Sequence, residues 1–332
     1  MIKNSLKSLK VILKGTRPSR VVLVCPDCLT IKLNWAIDEL KAMTSFEIIK
    51  IPDGEAAKDW NIIEVLLKDF TTANLDRKSL VLALGGGSVT DLVGFASSIY
   101  QRGVSYVNIP TTLLAQVDAA IGGKTAINFL GCKNQVGSFY NPIVTIIDSR
   151  FLETLNKEQF IDGLAEIIKA GLIKDPTILK IIQSHGLSQL REKILIEGII
   201  TKAIRVKEHF VQKDPKDKGV RQILNFGHTI GHALELKYGL SHGRAVLIGM
   251  MEELKLGEKL GKTDSKVRVH FKNLLDGLAI SFDKNKLEVD WKNILRDKKI
   301  VGDKINLPIV KKLGEAVLTE VSLKRIMGFV GR

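Results

Sequence analysis

Short, continuous runs of apolar residues recur through the first 150 residues, separated by stretches with helical periodicity. The apolar runs cover 21–24, 79–84, 105–109 and 143–147, and helical stretches include 60–70 and 91–100. A strand without polar alternation is typical of one that is buried on both faces, as in a parallel sheet. The regular alternation of strand and helix therefore predicts an α/β domain over residues 1–150.

Helical periodicity dominates the rest of the chain. Candidate helices cover 160–173, 177–184, 195–211, 229–238 and 246–260, whereas the only candidate strands are 304–309 and 314–318. Residues 151–332 are therefore predicted to form a second domain that is mainly α-helical. A length of 332 residues agrees with two domains.

The chain is basic, with 50 Lys and Arg against 36 Asp and Glu and a net charge of +14. Such an excess suits nucleic acid, an anionic membrane or phosphorylated metabolites. Because no arginine-rich run or basic stripe with interleaved aromatic residues occurs, a solvated basic surface is favoured over a nucleic-acid-binding one. We expect no membrane partner, because no apolar run approaches the roughly 20 residues that cross a bilayer. With three cysteines and no signal-peptide pattern, a cytoplasmic location is expected.

Three consecutive glycines, Gly85 to Gly87, follow a predicted strand and precede the helix that begins near Asp91. Glycines let a backbone approach a ligand closely, and a helix N-terminus offers unpaired N–H groups to a phosphate. The third glycine of the common dinucleotide fingerprint is replaced here by Thr90. The motif indicates a diphosphate site, with a tight turn that binds no ligand as the alternative.

Two lysines, Lys124 and Lys133, lie in glycine-containing segments that read as loops. An ammonium group in such a loop can reach an anionic ligand, and the nearby Asp118 could contact a hydroxyl. Solvated loop lysines are the alternative interpretation.

Three of the six histidines lie within fifteen positions. His228 and His232 are four residues apart, so they share one face of a helix, and His242 follows a short loop. Glu166 and Lys169 share a helix face far upstream. Two histidines and a carboxylate are the ligand set of a catalytic zinc site, and spacing alone favours His228 and His232. A structural histidine pair is the alternative.

Taken in order, these motifs resemble the 3-dehydroquinate synthase family of sugar-phosphate cyclases, from about residue 53 to residue 307. Further segments that carry the resemblance are 53–58, 100–103, 110–114, 151–155, 163–169, 219–225, 242–243 and 296–299. The resemblance implies a Rossmann-like parallel-sheet domain, a predominantly α-helical C-terminal domain and a homodimer.

The family resemblance also implies an activity and two cofactors. The expected reaction converts 3-deoxy-D-arabino-heptulosonate 7-phosphate to 3-dehydroquinate and phosphate, the second step of the shikimate pathway. It would proceed by transient oxidation, phosphate elimination, re-reduction, ring opening and an intramolecular aldol. The implied cofactors are NAD and zinc, with cobalt as a possible substitute, and the implied partner is a phosphorylated sugar acid.

Site residues follow from the resemblance position by position. The implied metal ligands are Glu166, His228 and His242, which leaves His232 as a proton relay. The implied NAD contacts are Asp53, Glu55, Lys58, Gly86, Gly87, Ser88, Asp91, Thr111, Thr112, Lys124, Lys133, Phe151 and Thr154. The implied substrate contacts are Lys124, Asn134, Lys169, Lys207, Arg221, Asn225 and Arg102 (Arg102 reaching across the dimer), with one of Lys298 and Lys299, while Asp118 would touch both ligands.

Some positions depart from the family pattern. Ser88 and Thr90 stand where Val and Gly are usual, and Arg244 replaces a Glu beside a presumed metal ligand. These differences leave open a related cyclase, a metal-dependent polyol dehydrogenase of the same fold, or a non-catalytic basic protein.

Overall fold

The computed structural model describes residues 2–281 and 300–330. The chain divides into two compact units, with the boundary between Phe160 and Ile161. Among the described residues, no helix is both long and apolar enough to cross a membrane.

The first unit is built on a parallel sheet, as predicted. In chain order its strands are β1 (Ile2–Asn4), β2 (Val21–Pro26), β3 (Glu47–Ile51), β4 (Leu80–Gly85), β5 (Ser105–Pro110), β6 (Lys124–Phe129), β7 (Cys132–Phe139) and β8 (Val144–Ile147). Six of them form one sheet in the order β1-β8-β5-β4-β2-β3, and every pairing in it is parallel.

Helices cover both faces of this sheet. They are α1 (Leu9–Thr16), α2 (Asp27–Lys32), α3 (Asn34–Lys41), α4 (Trp60–Thr72) and α5 (Gly87–Ile99). Alternate residues of β2 enter different cores: Val22 and Val24 pack with α4 and α5, whereas Leu23 and Cys25 pack on the opposite face. Burial on both faces explains why the strands read as unbroken apolar runs.

The segment that was expected to be a loop with two lysines is a β-hairpin. Strands β6 and β7 pair antiparallel, with Lys124 opposite Phe139 and Ile127 opposite Val136. The loop interpretation was wrong because Thr125 and Ile127 alternate with more exposed residues and are buried. This period of two is a strand signal that the flanking glycines obscure.

The second unit is predominantly helical, as predicted. Its helices are α6 (Lys157–Ile173, which starts just before the boundary), α7 (Thr177–Gln183), α8 (Lys193–Lys213), α9 (His228–Tyr238), α10 (His242–Lys259), α11 (Ser265–Gly277) and α12 (Leu323–Val330). Strands β9 (Ile300–Val301), β10 (Lys304–Lys312) and β11 (Glu315–Ser322) form a small antiparallel sheet. The two strands expected near 304 and 314 are therefore confirmed.

Candidate active site

The glycine turn lies at the carboxyl end of β4, where it leads into α5. A Cβ atom on Gly85 would lie 2.5 Å from Val89 Cγ2, and one on Gly87 would lie 3.0 Å from the Ala119 Cβ. The Thr111 N–H donates to the Gly85 carbonyl at 2.9 Å, which places the 111–112 segment beside the turn. The close packing requires small residues at these positions. Because glycines have no side chain, the backbone at the N-terminus of α5 can also be approached closely, which is the arrangement that suits a phosphate.

Lys58 is the centre of a buried polar network in the first unit. Its ammonium donates to Asp91 Oδ2 at 2.6 Å and to Asn134 Oδ1, and the Lys58 side chain is only 4% exposed. Burial raises the pKa of Asp91 to about 6, although the Lys58 charge acts in the opposite direction. The structure thus brings together three residues predicted to contact NAD or substrate.

The β6–β7 hairpin is fixed to this network through Asn128. The Asn128 N–H donates to the Lys58 carbonyl at 2.8 Å, and its side-chain amide donates to Glu55 Oε1 at 2.8 Å. Asn128 Oδ1 accepts the Asn134 N–H at 3.0 Å. Asn128 was missed by sequence reasoning, because an asparagine in a presumed loop carries no distinctive signal.

Other predicted NAD contacts are distributed around the same sheet. Asp53 accepts from the Gly54 N–H and so caps a short 3₁₀ turn over Gly54–Ala57. Phe151 packs in the sheet core against Trp35, with ring centroids 5.0 Å apart, so only its backbone is available to a ligand. Thr154 Oγ1 donates to the Phe151 carbonyl at 3.1 Å. Of the remaining members, Ser88 lies in the first turn of α5, Thr112 and Asp118 lie in the segment after β5, and Lys124 and Lys133 lie on the β6–β7 hairpin.

A carboxylate and two histidines converge in the second unit. Single ligand atoms of Glu166, His228 and His242 all lie within 4.8 Å of one another. Glu166 Oε1 is 3.5 Å from His228 Nε2 and 3.4 Å from His242 Nε2. Glu166 and His228 are buried, and His242 is half-buried. Three elements distant in sequence, α6, α9 and α10, supply one donor each.

The proton on His228 is assigned by its neighbours. Its Nδ1 lies 3.1 Å from the Phe226 carbonyl, which can only accept, so Nδ1 carries the hydrogen. Burial, followed by the charges of Lys169, His232 and His242, holds the pKa of His228 well below its ordinary value. The neutral ring therefore directs the Nε2 lone pair at a carboxylate oxygen. Two facing lone pairs fit a cation between them.

Positive charge already compensates Glu166 in this arrangement. The Lys169 ammonium pairs with Glu166 Oε2, and both side chains are almost fully buried. Burial by itself would lower the pKa of His242, but hydrogen bonds to Glu166 and Glu235 raise it to about 10. Glu166 is thus surrounded by the Lys169 ammonium and the two imidazoles.

His232 belongs to a second, more exposed group. Its ligand atom lies within 4.8 Å of those of Glu235 and His242, and its ring centroid is 5.2 Å from that of His228. Spacing alone favours His228 and His232 as ligands, but the histidines grouped with Glu166 are His228 and His242. The structure brings together the three residues that the resemblance implies, Glu166, His228 and His242, and also groups His232 with Glu235 and His242.

Helices α9 and α10 approach each other closely because glycines line the contact. A Cβ atom on Gly249 would lie 1.9 Å from the Gly227 carbonyl oxygen, and one on Gly231 would lie 2.9 Å from the Ala245 carbonyl oxygen. Gly227 itself has φ +81°, which favours glycine. This backbone contact sets the positions of the two helix starts that carry His228 and His242.

Further predicted substrate residues occupy the second unit. Arg221 is 1% exposed and donates from Nη1 to the Pro215 carbonyl at 2.8 Å. Lys207 lies on α8, and Asn225 ends a short 3₁₀ segment just before His228. Arg102, in the first unit, is exposed and has φ +66°. Lys298 and Lys299 lie outside the described residues.

The architecture resembles solved structures over nearly its whole length. The crystal structure of 2-deoxy-scyllo-inosose synthase complexed with carbaglucose-6-phosphate, NAD+ and Co2+ aligns with a TM-score of 0.87 at 22% identity, covering 99% of this chain and 95% of the other. The chain thus belongs to the fold class that this structure represents, a parallel-sheet unit followed by a helical unit.

Sequence comparison gives the family within that class. Residues 48–162 match the family model for the 3-dehydroquinate synthase N-terminal region, and residues 163–300 match the one for the C-terminal region. The 3-dehydroquinate synthase of Clostridium kluyveri is 37% identical, over 99% of this chain and 93% of the relative. That of Dictyoglomus thermophilum is 41% identical, over 82% and 78%. The chain belongs to the 3-dehydroquinate synthase family.

Proposed function

We propose that this chain is a 3-dehydroquinate synthase, which converts 3-deoxy-D-arabino-heptulosonate 7-phosphate to 3-dehydroquinate and phosphate. The observation that carries the proposal is the convergence of Glu166, His228 and His242, in a chain that belongs to this family. The ordered arrangement of the glycine turn and the Lys58 network supports NAD as the second cofactor. Bound NAD would accept and return a hydride, and the bound divalent metal would polarise the substrate hydroxyls.

Glu166, His228 and His242 are the proposed ligands of the divalent metal, zinc or cobalt. One carboxylate oxygen and two imidazole nitrogens leave coordination positions open, as a catalytic metal site requires. The Phe226 carbonyl holds the His228 ring by its Nδ1 hydrogen, so Nε2 remains available. Lys169 supplies a buried positive charge beside the same carboxylate. That ammonium could then contact an anionic group of the substrate.

Residues of the first unit are the proposed NAD contacts. The backbone at Gly86 and Gly87 can donate to the diphosphate, because it lies at the N-terminus of α5. Asp91 is the proposed acceptor for a ribose hydroxyl, and Lys58 keeps it oriented at 2.6 Å. The other proposed contacts are Asp53, Glu55, Ser88, Thr111, Thr112, Lys124, Lys133, Phe151 and Thr154.

Cationic and amide side chains are the proposed contacts to the phosphate and carboxylate of the substrate. Charge-assisted hydrogen bonds to these groups are stronger than neutral ones. In the second unit the proposed residues are Lys169, Lys207, Arg221 and Asn225, with His232 moving protons at its exposed ring. In the first unit they are Arg102, Lys124 and Asn134. Asp118, which is an acid, is the proposed contact to both the substrate and NAD.

The test is phosphate release from the heptulosonate phosphate in the presence of zinc and a catalytic amount of NAD. We expect turnover without net accumulation of NADH, and loss of turnover in Glu166→Ala. Glu158→Ala, an exposed position on the same helix, is the matched control. Stoichiometric NADH formation from a simple polyol, without phosphate release, would instead identify a metal-dependent polyol dehydrogenase.

We also propose a homodimer in the cytoplasm. The dimer is supported by the family resemblance, and the location by the three cysteines, which are all unbridged thiols. Sedimentation of the purified chain at several concentrations tests the assembly, and a concentration-independent monomer would contradict it.

A further inference from the structure

A carboxylate outside the ligand set contacts the ring of His242. Glu235 Oε2 lies 3.5 Å from His242 Nδ1, whereas the other ring nitrogen, Nε2, lies 3.4 Å from Glu166 Oε1. The ring is therefore held between two carboxylates. An acceptor at Nδ1 retains the hydrogen on that nitrogen, so Nε2 is the nitrogen that would lose its hydrogen and offer a lone pair to a metal.

A second carboxylate holds the backbone next to the same histidine. Asp162 Oδ1 accepts the Gly243 N–H at 2.7 Å. Asp162 lies one helical turn before Glu166 on α6, and Gly243 directly follows His242 on α10. This hydrogen bond therefore joins the helix that carries the carboxylate ligand to the helix start that carries a histidine ligand.

A third carboxylate holds the backbone next to the other histidine ligand, His228. Glu253 Oε2 accepts the Gly227 N–H at 2.8 Å, and Glu253 is only 2% exposed. Gly227 directly precedes His228, whose own ring is oriented by the Phe226 carbonyl. Each histidine ligand is thus adjacent to a glycine whose N–H is held by an acid from a different helix.

The geometry points to a positioning role for these acids: we propose that Glu235, Asp162 and Glu253 orient the two histidine ligands of the metal centre. The inference rests on the proposed function, since it concerns the same centre. Glu253 is buried and Asp162 and Glu235 are half-buried, and each of the three makes its contact at a histidine ligand or at the glycine beside one. Burying a carboxylate is costly unless it is hydrogen-bonded. Their negative charge also complements a divalent cation that Glu166 alone balances only in part.

The decisive experiment measures zinc affinity of the full chain without substrate, by competition with a chelating dye. We expect Glu235→Gln to weaken zinc binding by roughly 10- to 100-fold, the usual effect of losing a partner behind a ligand. Glu252→Gln is the matched control. Glu252 lies on α10 beside Glu253, but its carboxylate pairs with Lys255 at 2.6 Å instead of with a glycine N–H. It should leave zinc affinity unchanged within about twofold.

A second readout separates positioning from general destabilisation. The visible absorption of the cobalt-substituted protein reports ligand geometry, and we expect it to change in Glu235→Gln while the far-ultraviolet circular dichroism stays that of the wild type. Asp162→Asn and Glu253→Gln should weaken zinc binding in the same direction.

The outcomes distinguish the two proposals. Wild-type protein that fails to bind zinc would refute the proposed metal centre itself. Wild-type protein that binds zinc, with Glu235→Gln binding within twofold of it and showing an unaltered cobalt spectrum, would refute the positioning role alone.

Discussion

Lys58 provides the sharpest test of the buried network in the first unit, through the substitution Lys58→Met. The side chains of Lys58 and Asp91 are 4% and 18% exposed, and their charged atoms are 2.6 Å apart. Removing one partner of a buried pair typically costs about 3–5 kcal/mol, because the other charge is left uncompensated. Asp91 can escape part of this cost by taking up a proton.

The pH dependence follows from the pKa of Asp91. That pKa is raised from 3.8 to about 6 in the folded chain, so the stability associated with its protonated form is lost as the pH rises between these values. Without Lys58 the folded pKa rises further, and the loss extends above pH 6. We therefore expect wild type and Lys58→Met to differ little in free energy of unfolding near pH 5. At about pH 8 they should differ by about 3 kcal/mol.

Urea denaturation at the two pH values, without NAD, measures the effect. The double variant Lys58→Met with Asp91→Asn should recover most of the loss at the higher pH, because no charge is left buried. Lys68→Met, which removes an exposed ion pair with Glu64 on α4, is the control and should change little at either pH. A double variant as unstable as the single one, or an equal loss at both pH values, would refute the reasoning.

Three further predictions concern packing and the metal centre. Gly94→Ala places a Cβ 2.4 Å from Thr125 Cγ2 and should destabilise the chain by about 1–3 kcal/mol in urea, whereas Gly198→Ala, with nothing within 4 Å, should stabilise α8 by up to about 1 kcal/mol. His228→Ala should abolish tight zinc binding, while His232→Ala should keep it and lose turnover; equal zinc affinities would contradict the assignment. Dialysis against a chelator should lower the thermal midpoint of the wild type, and added zinc should restore it.

Most of the fold could be predicted from the sequence, because its strands and helices follow strong local patterns. The runs at 21–24 and 79–84 are unbroken since both faces of the sheet are covered, and this is visible without coordinates. The β6–β7 hairpin was not predicted, because its glycines suggested a loop and its short alternation around Ile127 is a weak signal. In this segment the alternation of buried and exposed residues with a period of two indicates a strand, whereas the glycine content does not.

The candidate site was also only partly predictable from the sequence. Residue types indicated a carboxylate with two histidines, but spacing alone favoured His228 with His232, whereas the structure groups Glu166 with His228 and His242. That choice depends on how α9 and α10 pack, which is a tertiary property. The roles of Asp162 and Glu253 could not be predicted for the same reason. An acidic residue on a helix is usually interpreted as a solvated side chain, and only the tertiary structure shows which backbone N–H donates to it.

The glycine contact between α9 and α10 has a consequence for the choice of ion. Where two main chains touch at Gly227 and Gly249, there is no compressible side chain to let the helices slide. The backbone positions that carry the two imidazoles are therefore held close together. If the proposed metal centre forms, ions of unequal radius would be accommodated by side-chain rotation, by the carboxylate and by exchangeable oxygen ligands. Substituting one divalent ion for another should then alter how many such oxygens are bound while leaving the main-chain separation of the two helices unchanged.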